Sequence, residues 1–585
     1  MRAHLTLSLN SCLLLLFALF SLSSCSKNSN KDSQKLKAAE NGGAYYGGIF
    51  RINETEYFRS LYPLNIGEVV GHRISNQIYE GLIHLDQKSL QVAPCIAESW
   101  EIDSSATVYT FKLRKDVFFH DDACFADGKG RTVNAHDFKY CFDKWCTPAA
   151  NNKGYEFVKD RIVGVSDYNK SIKNNATSTG GVQGIKALDD YTLQVTLNKP
   201  FGSFLYILAM PFGYVFPHEA VKKYGIDMRI KTVGTGPFTL KTLKENEALI
   251  LLRNKNYWAK DANGNQLPYL NGVRWSFVKD EMAELLAFKQ GQLELDYRLP
   301  LELADEIVSR DGNLLGDYSD FQYQECSSMD IQYYGFLHTG TMFNNKALRQ
   351  AFCYAIDREK ICDFTLKGAG FPAHYGIVPP SFPSYKNKTL KGYKFDADKA
   401  RKLLAEAGYP NGEGLAPITL QINSGGGRNE QVAEAIQKML EENLGISVNI
   451  TKMPFHQHLE NTEAGKLDFW RAGWVADYPD PENFLNLLWG AHVPPKATDN
   501  VYLNTFRFVN PDYDKNFEEG LRTINEAQRN ATYLKAEQIA LDEAAFLPIF
   551  YSKERRLLQP YVRNFPQNAM EYRYFGNVYF VPEKK

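Results

Sequence analysis

The sequence has almost no excess of charge of either sign. It contains 67 lysine and arginine residues against 68 aspartate and glutamate residues, for a net charge of -1. Nucleic-acid binding depends on a basic surface that neutralises phosphates, so this balance predicts no nucleic-acid partner. Long apolar runs are also scarce. After residue 24, no segment is apolar enough to cross a membrane as a helix.

The motifs of common hydrolases and zinc sites are missing as well. The chain has no G-x-S-x-G elbow, no H-E-x-x-H and no C-x-x-C. His456 and His458 have the spacing that places two side chains on one face of a strand, where they could hold a metal, but no further ligand accompanies them and surface histidines are the favoured interpretation. The sequence therefore predicts no metal, no cofactor and no catalytic residue, and a secreted hydrolase is the less favoured alternative.

The N-terminus has the features of an export signal. Arg2 precedes an apolar run over residues 12–20 that is too short to span a bilayer, and the segment ends in Leu-Ser-Ser before Cys25. We predict that residues 1–24 are removed. The ending resembles a bacterial lipobox, which implies lipidation of Cys25 and a tether over residues 25–44. A plain secretory signal, in which this cysteine is incidental, predicts a soluble product instead.

Cysteine usage leaves pairing open. Of nine cysteines, Cys12 leaves with the signal and Cys25 would carry lipid, so seven remain and cannot all pair. Cys124 lies in a glycine-rich loop and Cys146 at the end of the following predicted helix. Their separation makes them a candidate disulfide in an oxidising compartment, although spacing alone does not establish connectivity.

Short β-like runs alternate with helical segments, which predicts a mixed α/β protein. Residues 108–114 alternate as a strand. Helical periodicity marks residues 135–145, 397–407 and 430–444, and glycines close the last two.

Specific strings then follow one another in a characteristic order. They are residues 61–63 (LYP), 77–82 (QIYEGL), 94–100 (PCIAESW), 109–122 (YTFKLRKDVFFHDD), 134–138 (NAHDF), 234–238 (GTGPF), 253–258 (RNKNYW), 355–358 (AIDR), 403–409 (LLAEAGY) and 471–481 (RAGWVADYPDP). Together they resemble the family 5 extracellular solute-binding proteins, the peptide, dipeptide and nickel group, along nearly the whole mature chain.

The resemblance implies a periplasmic-binding-protein-like class II fold, α/β in type. It consists of two lobes with hinge strands, plus an extra subdomain in the first lobe. We expect the first lobe over residues 45–335 and 552–585, with the extra subdomain over about 86–205, and the second lobe over 336–551. Apolar, β-like stretches at 332–337 and 547–552 are the expected hinge crossings.

The resemblance also implies a peptide site. Asp477 matches the aspartate that pairs with a ligand's α-ammonium; the alternative is a turn or cap role before Pro479. Gly473, Trp474 and Val475 would offer the backbone to an added peptide strand.

Arg471 matches a residue that meets a ligand carboxylate, although pairing with Asp468 or Asp480 is an alternative. Val69, in the segment after Pro63, would line the cleft.

The function implied is capture of short peptides by a non-enzymatic, monomeric solute-binding protein that delivers them to the permease subunits of an ABC transporter. We expect it at the cell envelope, lipid-anchored on the periplasmic or extracytoplasmic side. The alternative keeps the fold but changes the ligand to a nickel complex, haem or an oligosaccharide.

Overall fold

A computed structural model describes residues 36–149, 151–173, 180–309, 311–382, 384–425, 427–496 and 499–582. The predicted signal peptide and the lipidation site at Cys25 lie outside the described residues. Part of the predicted tether belongs to the folded body, because Lys37 and Ala38 pair with Tyr46 and Tyr45. Over the described ranges, no helix has both the length and the apolar character needed to span a bilayer.

The strands are β1 Lys37–Ala38, β2 Tyr45–Tyr46, β3 Ile49–Asn53, β4 Ile83–Leu85, β5 Val92–Pro94, β6 Ala97–Ile102, β7 Val108–Leu113, β8 Ile185–Asp189, β9 Thr192–Thr196, β10 Phe238–Lys244, β11 Ala248–Arg253, β12 Gly272–Ser276, β13 Leu295–Asp296, β14 Gln322–Ser327, β15 Asp330–Phe336, β16 Gly370–Pro372, β17 Ile418–Asn423, β18 Val448–Met453, β19 Phe469–Val475, β20 Phe546–Leu558, β21 Val562–Arg563 and β22 Tyr579–Phe580.

The α-helices are α1 Val69–Ser75, α2 Ala135–Trp145, α3 Val165–Lys173, α4 Phe204–Leu208, α5 His218–Tyr224, α6 Glu281–Lys289, α7 Ala304–Ile307, α8 Lys346–Ala355, α9 Arg358–Lys360, α10 Ala397–Glu406, α11 Gly427–Leu444, α12 Phe455–Glu463, α13 Glu482–Leu485, α14 Pro511–Arg522 and α15 Glu526–Asp542.

Three larger sheets organise these elements. The largest has the order β13-β20-β15-β19-β17-β18, with β14 and β16 also pairing with β20. One four-stranded sheet has the order β10-β11-β12-β3, and the other the order β6-β7-β9-β8. The sheet β6-β7-β9-β8 lies within the segment expected to form the extra subdomain.

The predicted elements form for local reasons. Helix α2 begins with a capping box. The Asn134 side chain accepts a hydrogen bond from the Asp137 backbone N–H, and the Asp137 carboxylate accepts one from the Asn134 backbone N–H. Its apolar face, including Phe138, Phe142 and Trp145, is buried. Helix α10 gives way to Gly408, whose φ of +99° suits a residue without a side chain.

The stretches expected as hinge crossings lie on two neighbouring antiparallel strands. Within β15 and β20, Gln332 is opposite Phe550 and Gly335 is opposite Phe546. Beyond Ser552, β20 continues along β14. A long strand that changes partners in this way is suited to connect two parts of a chain.

His456 and His458 do not have the strand placement that their spacing allows, and only His456 is a surface histidine. Both lie on helix α12, with His456 exposed and His458 buried. Positions two apart on a helix do not share a face. In the described part of the chain, no cluster of three or more histidine, cysteine or acidic residues is arranged to hold a metal ion.

The candidate disulfide is not formed in the structure. Cys124 and Cys146 are both free thiols, as are the other five described cysteines. Cys146 is fully buried at the end of α2, whereas Cys124 lies half-buried in a loop near Asp122, which accepts its backbone N–H. The two occupy different environments although they are near in sequence.

When the chain lacking residues 1–25 is unfolded without reductant, we predict that seven thiols can be titrated. A Cys124–Cys146 disulfide would leave five. Before unfolding, a thiol-reactive chromophore should label slowly, because burial raises the pKa of Cys124 and Cys326 to about 12 and the other five cysteines are buried. Counting released chromophore, with a reduced sample as the control, distinguishes the two cases.

Candidate peptide-binding site

One cavity collects all six residues predicted to bind the ligand. It has a volume of about 280 Å³, and its lining includes residues from α1 and β19 and from the segments around them. The predicted residues among its lining are Val69, Arg471, Gly473, Trp474, Val475 and Asp477. The sequence separates Val69 from the others by some four hundred positions, so the fold brings them together.

Polar contacts join the two walls of this cavity. On one wall lie Gly67 and Val69 at the start of α1; on the other lie β19 and α12. The Tyr502 hydroxyl donates to the Gly67 carbonyl at 3.3 Å, and Lys153 forms an ion pair with Glu463 at 2.7 Å. Segments from distant parts of the chain are therefore in contact beside the cavity.

Strand β19 has an open edge that faces the cavity. It pairs with β15 along its whole length, but with β17 only at Phe469 and Trp470. At Arg471 the edge is capped, since the His458 imidazole Nε2 lies 2.8 Å from the Arg471 carbonyl oxygen. Burial lowers the pKa of His458 to about 4, so this imidazole is neutral at pH 7. No described strand covers the edge beyond this point.

The free backbone groups on that edge belong to Gly473 and Val475. Successive residues of a strand direct their N–H and C=O groups alternately to its two edges. The Ala476 N–H donates to the Met329 carbonyl at 2.8 Å, which places Ala476 on the β15 side. Gly473 and Val475 therefore direct their backbone groups to the opposite, open edge.

Gly473 leaves room for the side chain beside it. A Cβ atom at this position would lie 2.7 Å from Gln332 Oε1. Gln332 accepts a hydrogen bond from Arg471 and donates to Asp330 at 3.0 Å. A side chain at Gly473 would displace the Gln332 amide from Arg471 and Asp330.

Asp477 is a carboxylate without a cation. Its Oδ2 accepts from Asn483 Nδ2 at 3.2 Å, and within the described ranges no lysine, arginine or histidine forms an ion pair with it. Burial raises the pKa of Asp477 to about 7; the Asn483 hydrogen bond opposes this shift and the Glu482 charge adds to it. The cap at the following turn is made by Asp480, which accepts from the Glu482 N–H at 2.9 Å. A cationic ligand group would supply the partner that Asp477 lacks.

Among the described residues, no carboxylate forms an ion pair with Arg471. Its guanidinium donates to Asn423 Oδ1 at 3.0 Å and to Gln332 Oε1. Neither of the alternative partners is used: Asp480 pairs with Arg529 at 3.2 Å, and the Asp468 side chain is exposed. Burial lowers the pKa of Arg471. Arg471 is thus a desolvated guanidinium available to an anionic group.

Asn483 organises the site, and sequence reasoning missed it. Its Oδ1 accepts from Trp474 Nε1 at 2.9 Å and from the Asp477 backbone N–H at 3.0 Å, while its Nδ2 holds the Asp477 carboxylate. It is 1% exposed. Gln332 was missed in the same way, since it was assigned only to a hinge crossing. No spacing in the sequence marks either amide as a neighbour of the site.

Comparison with known proteins shows which family the chain matches. Residues 91–493 match the family described as bacterial extracellular solute-binding proteins, family 5 Middle. The chain is 29% identical over 542 residues to the periplasmic oligopeptide-binding protein OppA of Escherichia coli, covering 91% of this chain and 92% of that protein. It is also 29% identical over 512 residues to heme-binding protein A of Haemophilus influenzae, covering 86% and 87%.

A solved structure shows the same fold. The periplasmic binding protein DppA of Helicobacter pylori, in complex with the peptide STSA, superposes with a TM-score of 0.78 and 25% identity, covering 92% of this chain and 98% of that one. The expected two-lobed, mixed α/β architecture is confirmed. With the family match extending over more than half of its length, this chain belongs to the bacterial extracellular solute-binding proteins of family 5.

Proposed function

We propose that this protein captures short peptides in the cavity between its two lobes and delivers them to an ABC-type importer. The observation that carries the proposal is the open edge of β19. The Asp477 carboxylate lies at one end and the Arg471 guanidinium at the other, and neither has an ion-pair partner in the part of the chain that the structure describes. A peptide zwitterion has the complementary order of charges, with hydrogen-bonding groups between them.

Each part of a peptide backbone has a counterpart on the strand. The α-ammonium pairs with Asp477, the backbone adds to the edge at Gly473 and Val475, and the terminal carboxylate meets Arg471. Because these contacts avoid the ligand's side chains, they tolerate varied sequences. Trp474 is held by Asn483 and supports the wall beside Asp477.

The distance between the two charges limits the peptide's length. A strand rises about 3.3 Å per residue, so the step from Asp477 to Arg471 spans about 20 Å. The Arg471 guanidinium reaches Gln332, which lies opposite Gly473, and this shortens the span. A peptide of about three to five residues would then contact both ends.

Binding is coupled to closure of the lobes. We assign residues 45–335 and 552–585 to the first lobe and 336–551 to the second, with the hinge in β15 and β20. The first lobe contributes Val69 to the cavity and the second contributes β19, so a ligand between them stabilises the closed form. The transporter would distinguish the liganded protein by its differential contact with open and closed states.

Relatives support this assignment by their names. The E. coli relative is a periplasmic oligopeptide-binding protein, and the H. pylori structure contains a bound peptide. We extend the proposal to lipidation at Cys25 and to a position on the periplasmic or extracytoplasmic side of the membrane. A haem or other non-peptide ligand is the alternative, since one relative is named for haem.

Titration calorimetry tests the function directly. The chain lacking residues 1–25 is titrated with a tetrapeptide that has a free amine and with its N-acetylated form. We expect binding of the first and at least a hundredfold loss with the second, because acetylation removes the charge that pairs with Asp477.

A C-terminally amidated peptide serves as the matched control for Arg471. Native mass spectrometry of the purified chain shows what ligand it carries. Equal affinity for the free and acetylated peptides would refute the ammonium contact, and co-purification of haem or a sugar without peptide binding would refute the peptide assignment.

A further inference from the structure

A basic surface lies outside the main cavity, in the segment assigned to the second lobe. Residues 386–399 contain five lysines and two aspartates, although the whole protein has a net charge of -1. Four of these lysines and one phenylalanine are exposed and do not line the main cavity. We call them the lysine surface: Lys388, Lys391, Lys394, Phe395 and Lys399.

The backbone that carries these lysines is held in place. Asn387 is 2% exposed, and its Nδ2 donates to the Val378 carbonyl at 3.0 Å. The Gln538 side chain on α15 accepts from the Lys391 N–H at 2.8 Å and donates to the Lys391 carbonyl at 3.1 Å. Because this backbone is already ordered, binding through the lysine side chains would cost little backbone entropy.

Aromatic rings lie among the ammonium groups. A shallow groove of about 450 Å³ is lined by Tyr354, Phe395 and three of the lysines. The Lys399 ammonium is 4.0 Å from the centroid of the Tyr354 ring and donates to its hydroxyl at 2.7 Å. The Lys360 ammonium is 5.9 Å from the centroid of the Phe395 ring. Aromatic rings beside lysines are typical of surfaces that contact the headgroup region of a membrane.

Phe364 extends this apolar character. It is 77% exposed and follows Lys360 by one turn, in the π-helical segment Ile361–Thr365 that continues α9. An aromatic ring this exposed gains free energy by leaving water. Asp363 is exposed next to it and would oppose contact with an anionic surface. The lysines therefore supply most of the attraction, and Phe364 a smaller part.

The aspartates within residues 386–399 do not cancel the positive charge. Asp396 accepts from the Lys399 N–H at 2.9 Å at the start of α10, where the helix dipole offsets part of its charge. Asp398 forms an ion pair with Arg401 at 2.5 Å. The lysine surface therefore keeps an excess of positive charge.

The choice of lysine favours a membrane over a protein partner. Residues 386–399 contain no arginine. Arginine binds a carboxylate through two parallel hydrogen bonds of fixed geometry, whereas the lysine ammonium is a point charge on a flexible stem. Fluid lipid headgroups have no fixed arrangement, so point charges on flexible stems suit them better than planar forks.

We propose that the lysine surface binds the anionic headgroups of the membrane to which the protein is anchored. Each lysine held near an anionic bilayer strengthens binding by about fivefold. Eleven positions separate Cys25 from Leu36, the first described residue, and they span at most about 40 Å. With lipid on Cys25, the body would stay close to the bilayer, so a weak surface contact would suffice to orient it.

Vesicle sedimentation of the chain lacking residues 1–25 tests the surface without the lipid anchor. We expect binding to vesicles in which about one third of the lipid is phosphatidylglycerol, and about tenfold weaker binding or less to pure phosphatidylcholine. Raising the salt from about 0.1 M to about 1 M shortens the Debye length from about 10 Å to about 3 Å. Binding to the anionic vesicles should then fall by about tenfold or more.

Variants with the same change in net charge locate the contact. The triple variant K388Q/K391Q/K394Q should bind anionic vesicles about tenfold more weakly or worse. The matched control K241Q/K255Q/K260Q removes three exposed lysines that lie outside the lysine surface, and it should stay within about twofold of wild type. Phe364→Ser should weaken binding by about threefold, because it removes only the apolar part. Peptide titration, with unchanged affinity expected, shows that each variant is folded.

The outcomes separate this proposal from the peptide function, which it does not require. Equal binding to anionic and neutral vesicles, or equal losses in the two triple variants, would overturn it, since the attraction would then not come from the lysine surface. No binding to anionic vesicles would overturn it as well and would favour an acidic protein partner. Each of these results leaves the peptide titrations to decide the peptide function by themselves.

Discussion

Replacing Asp477 with asparagine is expected to weaken binding of a free-amine peptide by about a hundredfold to several thousandfold. Removing one member of a desolvated ion pair costs about 3 to 5 kcal/mol, because the other charge stays buried without a partner. Asparagine keeps the shape of the side chain and its contact with Asn483, so the loss reports the charge. Titration calorimetry with one tetrapeptide measures it.

The N-acetylated peptide completes a double-mutant cycle. Wild-type protein and Asp477→Asn should bind this peptide equally weakly, since its ammonium is absent. Asp468→Asn is the matched control, because Asp468 lies just before β19 with an exposed side chain outside the cavity. If Asp477→Asn bound the free peptide as tightly as wild type does, the ammonium contact would be excluded.

Stability distinguishes lost binding from lost folding. The folded-state pKa of Asp477 is raised to about 7 from its usual 3.8. Between pH 3.8 and about pH 7, Asp477 is protonated in the folded protein but ionised in the unfolded chain. The free energy of unfolding that Asp477 contributes therefore decreases as pH rises through this range. Asp477→Asn should therefore unfold at the same temperature as wild type at pH 7.5 or at a higher one. A lower unfolding temperature would show a structural role.

Peptide affinity is expected to fall about twentyfold between pH 7.5 and pH 5.5. In the unliganded protein the pKa of Asp477 is about 7, and a bound ammonium lowers it because it favours the charged carboxylate. Below pH 7 the peptide must displace a proton, so affinity decreases as pH falls. Above pH 8 affinity decreases again, because the peptide's own α-amino group loses its charge.

Calorimetry in buffers of different ionisation enthalpy counts the proton released. At pH 6 we expect close to one proton per peptide for wild type and close to none for Asp477→Asn. Glu537, whose pKa burial also raises to about 7, lies outside the cavity and is present in both proteins. An unchanged pH dependence in the variant would assign the effect to another group.

Several elements could be predicted from local sequence alone. The helix predicted over 135–145 is observed as Ala135–Trp145, and the strand predicted over 108–114 as Val108–Leu113. Capping residues and hydrophobic periodicity act over a few neighbouring positions, so they can be read without the fold. The helix at 430–444 begins three residues earlier, at Gly427, because helix ends depend on weak signals.

Other features depended on partners far along the chain. Gln332 contacts Arg471 across 139 positions, and Lys153 contacts Glu463 across 310. The spacing of the two histidines on α12, and of Cys124 and Cys146, did not decide their surroundings. No local pattern reveals that β17 stops covering β19 after Trp470.

The sequence by itself determined the periodic elements, the order of the family's motifs and the residues that lie along the candidate binding strand. Only the tertiary structure decided which edge of that strand is open, and that Asp477 and Arg471 lack partners of opposite charge in the described chain. Desolvation and pairing depend on every group that packs around a charge. Those groups come from segments that only folding brings together.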